Sequence, residues 1–327
     1  MSPAPSGPLN PAAQASGPRI GIAFGSGSAR GWAHLGVLHA LEERGIRPVA
    51  VTGASVGALV AAAYASDQWQ ELEAWVRTLT RVDVWRLLDT TFRGGGVMRG
   101  NRLMQAIREQ IQDRQIEELS VAFAAVAADL NTGEEIWLRT GSMLKAVRAS
   151  SGMPGLFTPF WYQDRWMIDG GVVNPVPVSL CRALGADYVI AVNLNVPVRE
   201  RWLTQLRNEA AAKQAAARLA VAKTEEPVEA SWATLDRWSD LLGGLVESIR
   251  SEATSDPGLF DVMAGSIHIM QDQIARSRMA SDPPNLAISP QLGHLQLMDF
   301  HRAAETIQIG YEAAASALEA AAGQVPA

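Results

Sequence analysis

One cysteine, Cys181, stands in 327 residues, which excludes an internal disulfide and any multi-cysteine metal site and fits a reducing compartment. Basic residues are in deficit, with 28 Lys+Arg against 34 Asp+Glu, a formal net charge of −6 and a pI near 5.5. General nucleic-acid affinity needs cations to displace counterions, so nucleic acid is not expected as a partner. The longest useful apolar run, Val56–Ala65, is too short to cross a bilayer, which takes ~20 residues. Residues 1–18, rich in Pro, Ala, Ser and Gly, have neither a basic start nor an apolar centre. They read as a disordered leader, not a signal peptide. Histidine is scarce as well: there are five, and none lies between residues 40 and 267. Together these absences point to a cytoplasmic protein that does not span a membrane.

What is present is an ordinary globular composition, 48% hydrophobic and 19% charged, long enough to bury a full core as one or two domains. From Arg19 short apolar runs alternate with helical patterns. Arg19–Phe24, Val49–Thr52, Val121–Ala128, Glu135–Leu138, Trp166–Ile168 and Tyr188–Asn193 read as strands. Gly31–Arg44 and Val56–Ala65 read as helices. This order predicts an α/β fold, a mostly parallel sheet flanked by helices, over residues 19–198. Residues 199–327 read as a mainly helical C-terminal region that packs on the core and completes the sheet. Its pieces are an alanine-rich basic stretch, a helix over Ala233–Glu252, strand-like runs at Ile267–Met270 and Leu286–Ile288, and a last helix over Ala303–Ala321.

Twenty-eight glycines matter by placement. The first loop, Gly25-Ser26-Gly27-Ser28-Ala29-Arg30-Gly31, follows a strand and opens a helix, so its N–H groups form a concavity suited to an anion or oxyanion. A dinucleotide reading wants an acidic residue at the end of the second strand, and Val49-Ala50-Val51-Thr52 carries none. The second loop, Gly53-Ala54-Ser55-Val56-Gly57, is a Gly-x-Ser-x-Gly turn, which places a serine hydroxyl clear of the backbone between strand and helix. A serine needs a base. His34 and His39 share the first helix with Leu35, Leu38 and Leu41, where packed or surface roles are the plainer account. A Ser55…Asp169…His268 or His294 triad is one option, since triad geometry tolerates any chain order. Asp169 alone is the other. It ends an apolar strand before Gly170-Gly171, and partial burial would raise its pKa and strengthen it as a base.

Read together, these motifs resemble the patatin-like phospholipase family, lipid acyl hydrolases with a Ser–Asp dyad and no catalytic histidine. Gly25–Gly45 is similar to the family's oxyanion loop and first helix, Gly53–Gly57 to its nucleophile elbow, and Asp169-Gly170-Gly171 to its Asp-Gly-Gly/Ala turn. Ala149-Ser150-Ser151-Gly152-Met153-Pro154-Gly155-Leu156-Phe157-Thr158-Pro159 is similar to its Ala-Ser-x-x-x-Pro-x-x-Phe-x-Pro segment. The likeness runs from about residue 19 to 195 and is to the short bacterial members. It implies a three-layer α/β/α core, Ser55 as nucleophile, Asp169 as base, and the backbone amides of Ser26, Gly27, Ser28 and Ala29 as oxyanion donors. Gly25, Gly31, Gly53, Gly57, Gly170 and Gly171 would shape the three turns. The family commonly has glycine where this chain has Ser26 and Ser28. A positive φ at either position would cost strain. Arg30 either holds the loop or meets a phosphate. No metal and no organic cofactor is implied.

The substrate implied is a phospholipid or another acyl ester. Trp85, Leu87, Leu88 and Phe92, before Gly94-Gly95-Gly96, offer a mobile apolar rim or ordinary core packing. Between Arg199 and Lys223 six basic residues face two acidic ones. With Trp202, Leu203 and Leu206, Arg199, Arg201 and Arg207 either rest on anionic headgroups at the inner membrane surface or pack on this domain or a twin subunit. Two other classes compete with the hydrolase: a non-catalytic lipid-binding or regulatory protein on the same fold, and an acyl-carrier transacylase with a Ser–His pair.

Overall fold

Short apolar runs bounded by glycine and proline become strands in the computed structural model, which describes residues 17–89, 96–195, 259–323 and 325. In chain order these are β1 (Ile20–Phe24), β2 (Ala50–Ala54), β3 (Gly96–Met98), β4 (Ala122–Asp129), β5 (Glu135–Leu138), β6 (Gly155–Phe157), β7 (Phe160–Tyr162), β8 (Arg165–Asp169), β9 (Tyr188–Val192) and β10 (Leu286–Ile288). The helices are α1 (Ala33–Glu42), α2 (Val56–Ala65), α3 (Trp69–Thr78), α4 (Arg81–Leu87), α5 (Asn101–Gln110), α6 (Met143–Ser150), α7 (Val178–Ala183), α8 (Leu259–Ser281) and α9 (Ala303–Ala320).

The main sheet runs β10-β9-β1-β2-β4-β8-β7, with β5 also paired to β4. The five strands from β10 to β4 are parallel; β5, β7 and β8 pair antiparallel. β1 and β2 are buried along their whole length, as strands covered on both faces must be. Alternate side chains feed two cores. Ile22, Phe24 and Val51 join the helices α1, α2 and α9, while Ala23, Ala50, Val189 and Ala191 join Val178 and Cys181 of α7 and Ala275 of α8. The result is the α/β/α layering expected from the sequence, a mostly parallel sheet between helices.

Among the described residues, the region beyond residue 198 meets this body through β10, α8 and α9 among others. β10 extends the sheet beside β9, α8 covers the second core, and α9 lies against α1. The strand expected at Ile267–Met270 is instead part of α8. Ile267, His268, Gln271, Asp272 and Ala275 are buried while Ile269 and Met270 are exposed, a three-to-four spacing that belongs to a helix packed on one side. The isoleucines suggested β structure, and tertiary packing overrode them. Phe92, the basic stretch from Arg199 to Lys223, the helix expected over Ala233–Glu252 and most of the leader lie outside the described residues.

α1 and α9 approach backbone to backbone because both carry glycine at the crossing. A Cβ on Gly310 would stand 2.7 Å from the Ala33 carbonyl carbon, far inside contact distance. Gly310→Val is therefore expected to cost about 2–3 kcal/mol through overpacking, read as a lowered urea midpoint. An unchanged midpoint would show that α9 does not pack there.

Candidate active site

The site begins with a register. β5 pairs one edge of β4 along Ala125–Ala128, so β2 and β8 must share the other. β2 pairs β4 as far as Ala54↔Val126, and β8 takes over at Asp169↔Ala127. Ser55, the residue at which β2 leaves the sheet, is thereby set beside Asp169, the residue at which β8 ends. Two parts of the chain over 100 residues apart meet because they occupy consecutive positions on one strand.

Ser150 closes the seam between them. Its Oγ accepts the Ser55 N–H at 2.8 Å and donates to the Val126 carbonyl at 2.6 Å. Ser55 itself has φ 57° and ψ −124°, a strained backbone that only a surrounding structure can hold. Gly53 and Gly57 make the turn possible. A Cβ on Gly57 would lie 2.6 Å from the Gly25 carbonyl oxygen, and one on Gly53 would strike the Gly57 backbone. The Ser55 residue is 8% exposed and opens onto the cleft described below.

Asp169 has no exposed surface. Its Oδ1 accepts the Gly171 N–H at 2.8 Å. Its Oδ2 makes no close hydrogen bond, while the Ser55 hydroxyl stands near enough to stabilise the carboxylate. Burial dominates and pushes the pKa up to about 6; the Ser55 hydroxyl and the Gly171 amide pull it down. The Ser–Asp contact is loose, as resting catalytic contacts often are. No histidine contributes to the electrostatics of Asp169.

In the glycine loop four amides are already committed. Gly25 N–H donates to the Val192 carbonyl, Ser26 to Pro175, Ala29 to Leu297 and Arg30 to Gly27. The Gly27 and Ser28 N–H groups donate to nothing among the described residues. Of the four amides expected as oxyanion donors, those of Ser26 and Ala29 thus already have acceptors within the protein. Ser28 does adopt a positive φ of 53°, and its hydroxyl offsets the strain by donating to the Leu297 carbonyl at 2.6 Å. The loop is clamped from outside as well. Trp32 Nε1 donates to the Phe300 carbonyl at 3.1 Å. Arg30 is buried with Nη2 3.3 Å from His268 Nδ1. Arg30 therefore ties the loop to α8, the first of the two roles open to it.

The histidines are otherwise engaged. His34, buried, donates Nε2–H to the Gly25 carbonyl at 2.8 Å, and burial lowers its pKa to about 4, so it is neutral. His39 meets Glu73, His294 meets Glu305, and His301 meets Arg81. Among the described residues, no His, Cys, Asp and Glu cluster of metal-binding kind occurs.

Ser55 and Ser28 stand in the wall of a cleft of about 100 Å³, lined mostly by apolar side chains such as Trp32, Leu59, Leu103, Met104 and Phe157, with Arg148 and Ser151 among its polar residues. Leu87 and Leu88 line it too, while Trp85 is 74% exposed outside. Such a cleft suits a hydrocarbon chain whose polar end lies at the serine.

Known proteins resemble this chain. The family model described as patatin-like phospholipase matches residues 22–182. An uncharacterised NTE family protein of Mycobacterium tuberculosis is 34% identical over 333 residues, 93% of this chain and 92% of that protein. The chain belongs to the patatin-like phospholipase family. Lysophospholipase NTE1 of Pyricularia oryzae is 25% identical over 304 residues, covering 90% of this chain but 18% of that much longer protein. The structure of VipD from Legionella pneumophila aligns with a TM-score of 0.50 and 14% identity over 93% of this chain and 67% of that one, a likeness of fold alone.

For this patatin-like chain the structure also brings in residues that the sequence reading left without a role. Ser150 was visible only as part of a motif. Gln271 of α8 had no signal: with Asp169 Oδ1 and Ser26 Oγ, its Nε2 crowds the open face of Gly171. Removing the Ser150 hydroxyl strands a buried amide and a buried carbonyl at the seam, so Ser150→Ala is expected to cost about 1–3 kcal/mol. Small displacements of a nucleophile are expensive, and kcat on an activated ester should fall by roughly 10–100-fold with KM little changed. Wild-type kcat would show that the elbow is held without Ser150.

Proposed function

We propose that this patatin-like protein is a serine hydrolase of lipid acyl esters working through a Ser55–Asp169 dyad. The observation that carries the reading is the seam on β4, which sets a strained serine against a fully buried carboxylate at the head of an apolar cleft. Ser55 Oγ attacks the ester carbonyl carbon as Asp169 takes the hydroxyl proton. The Gly27 and Ser28 N–H groups receive the developing oxyanion, an electrostatic contribution usually among the largest in acyl transfer. Collapse of the tetrahedral intermediate breaks the ester C–O bond, and the leaving alcohol takes the proton from Asp169. Water, deprotonated in turn by Asp169, then attacks the acyl-enzyme and releases the fatty acid and Ser55. The sequence of steps uses protein groups throughout. The cleft supports a long acyl chain as the part of the substrate that is recognised. Phospholipids and lysophospholipids both satisfy it, and contact with a lipid surface would deliver them.

Steady-state hydrolysis of a short-chain p-nitrophenyl ester tests the roles. Ser55→Ala should abolish turnover, and Asp169→Asn should lower kcat/KM by about 10²–10⁴-fold. His268→Gln should keep the larger part. Full activity in Asp169→Asn with loss in His268→Gln would replace the dyad by a histidine base. The base must be ionised, and burial raises its pKa to about 6. The rate is therefore expected to be flat above that pH and to fall as pH drops through about 6. A limb near 4, where an unburied carboxylate titrates, would contradict Asp169 as the group that limits it.

A further inference from the structure

Next to the Ser55 cleft lies a second pocket of about 340 Å³. It is built by one face each of α5 and α6. Asn101, Gln105 and Arg108 recur on α5 at helical spacing, Lys145 and Arg148 stand three apart on α6, and Phe160 closes one side. Among the described residues, three cations line it and no carboxylate does, in a protein whose net charge is −6. Arg108 and Lys145 are exposed. Arg148 is 7% exposed, a rare burial for a guanidinium.

Its contacts account for only part of that group. Nη2 donates to the carbonyl oxygens of Arg99 and Thr158, both at 2.8 Å. The guanidinium also lies over Phe160, with Cζ 5.2 Å from the ring centroid. Nη1 is buried and has no hydrogen-bond partner among the described residues. Asp89, capped by the Gly100 and Asn101 amides at 2.6 and 2.9 Å, is the nearby anion. It does not line the pocket. A desolvated guanidinium with two exposed cations outside it suits a tetrahedral oxyanion, since such a group presents several acceptor oxygens at once. Met104 and Arg148 line both this pocket and the cleft that holds Ser55, so the two spaces adjoin there.

We propose that the pocket binds a phosphate group, with Arg148 as the inner donor and Arg108 and Lys145 as the outer cations. One source of that phosphate is the headgroup of a lipid whose acyl chain occupies the adjoining cleft, which rests on the acyl-hydrolase reading above. The other is a free phosphate, which needs no catalysis.

Two measurements on the full chain, wild type and the double variant Arg108→Gln/Lys145→Gln, separate these. The first is binding of inorganic phosphate by calorimetry at constant ionic strength, with chloride as control. The second is the ratio of kcat/KM for a lysophosphatidate to that for the monoacylglycerol with the same acyl chain. The expected result is saturable phosphate binding in the wild type, weakened at least tenfold in the variant, together with a fall of at least tenfold in the ratio. Loss of binding with an unchanged ratio assigns the pocket to free phosphate. A lowered ratio without measurable binding of the free ion assigns it to the headgroup. No phosphate binding beyond chloride in the wild type, with a ratio that the variant does not move, overturns the proposal. If neither ester is hydrolysed, the catalytic reading fails and the phosphate titration alone decides the pocket.

Discussion

Everything at the site depends on how one edge of one strand is shared. Because β5 fills the far edge of β4, β2 and β8 must follow one another along the near edge, and the handover falls between Val126 and Ala127. A serine at the end of the first and a carboxylate at the end of the second become neighbours without any loop having to reach across. The seam leaves a backbone amide and a carbonyl unpaired by either ladder, and the Ser150 hydroxyl satisfies both. Buried backbone groups are seldom left orphaned. The position of Ser150 is thus as much a demand of the sheet as of the chemistry.

That arrangement also sets the electrostatics. Asp169 lies inside the sheet rather than on its surface, so desolvation raises its pKa to about 6, into the range where a carboxylate is both ionised near neutrality and basic enough to take a proton. His34 shows the same force acting on the opposite charge type. Burial holds it neutral, and its Nε2–H pins the Gly25 carbonyl beside the glycine loop. The histidine nearest the loop in sequence is therefore a strut. On the other side Leu297, Phe300, His268 and Gln271 come from the region beyond residue 198 and hold the loop and the base turn in place. The C-terminal region is an integral wall of this site.

Much of this was legible in the residues, and for identifiable reasons. Strands covered on both faces are continuous apolar runs, and Gly53 and Gly57 advertise a turn in which a side chain would strike backbone, so β1, β2, α2 and the placement of Ser55 could all be read locally. Asp169 could be singled out because it ends a strand before two glycines. Its partnership with Ser55 could not be derived from either stretch, since it depends on a register with Val126 and Ala127 of β4, about 40 residues from Asp169 and about 70 from Ser55. The resemblance supplied it. That two of the four expected oxyanion amides already donate elsewhere could not be read locally, because their acceptors, Pro175 and Leu297, are distant in sequence. Ile267–Met270 was misread because β-branched residues look alike in a strand and on a helix seated against a sheet. Gln271 and Arg148 had no local signal at all; only packing shows that one overlies the base turn and the other lines the cleft.

The claim at the centre of this account is that Asp169 activates Ser55 directly. Covalent labelling by a fluorophosphonate isolates that step, because it scores attack by the hydroxyl and needs no lipid, no turnover and no product release. Peptide mapping by mass spectrometry should find one adduct, on Ser55, formed in the wild type at a rate that declines as pH falls through about 6. In Asp169→Asn the rate should drop by at least about a hundredfold. Labelling of Asp169→Asn at the wild-type rate, or an adduct on another residue, would contradict it.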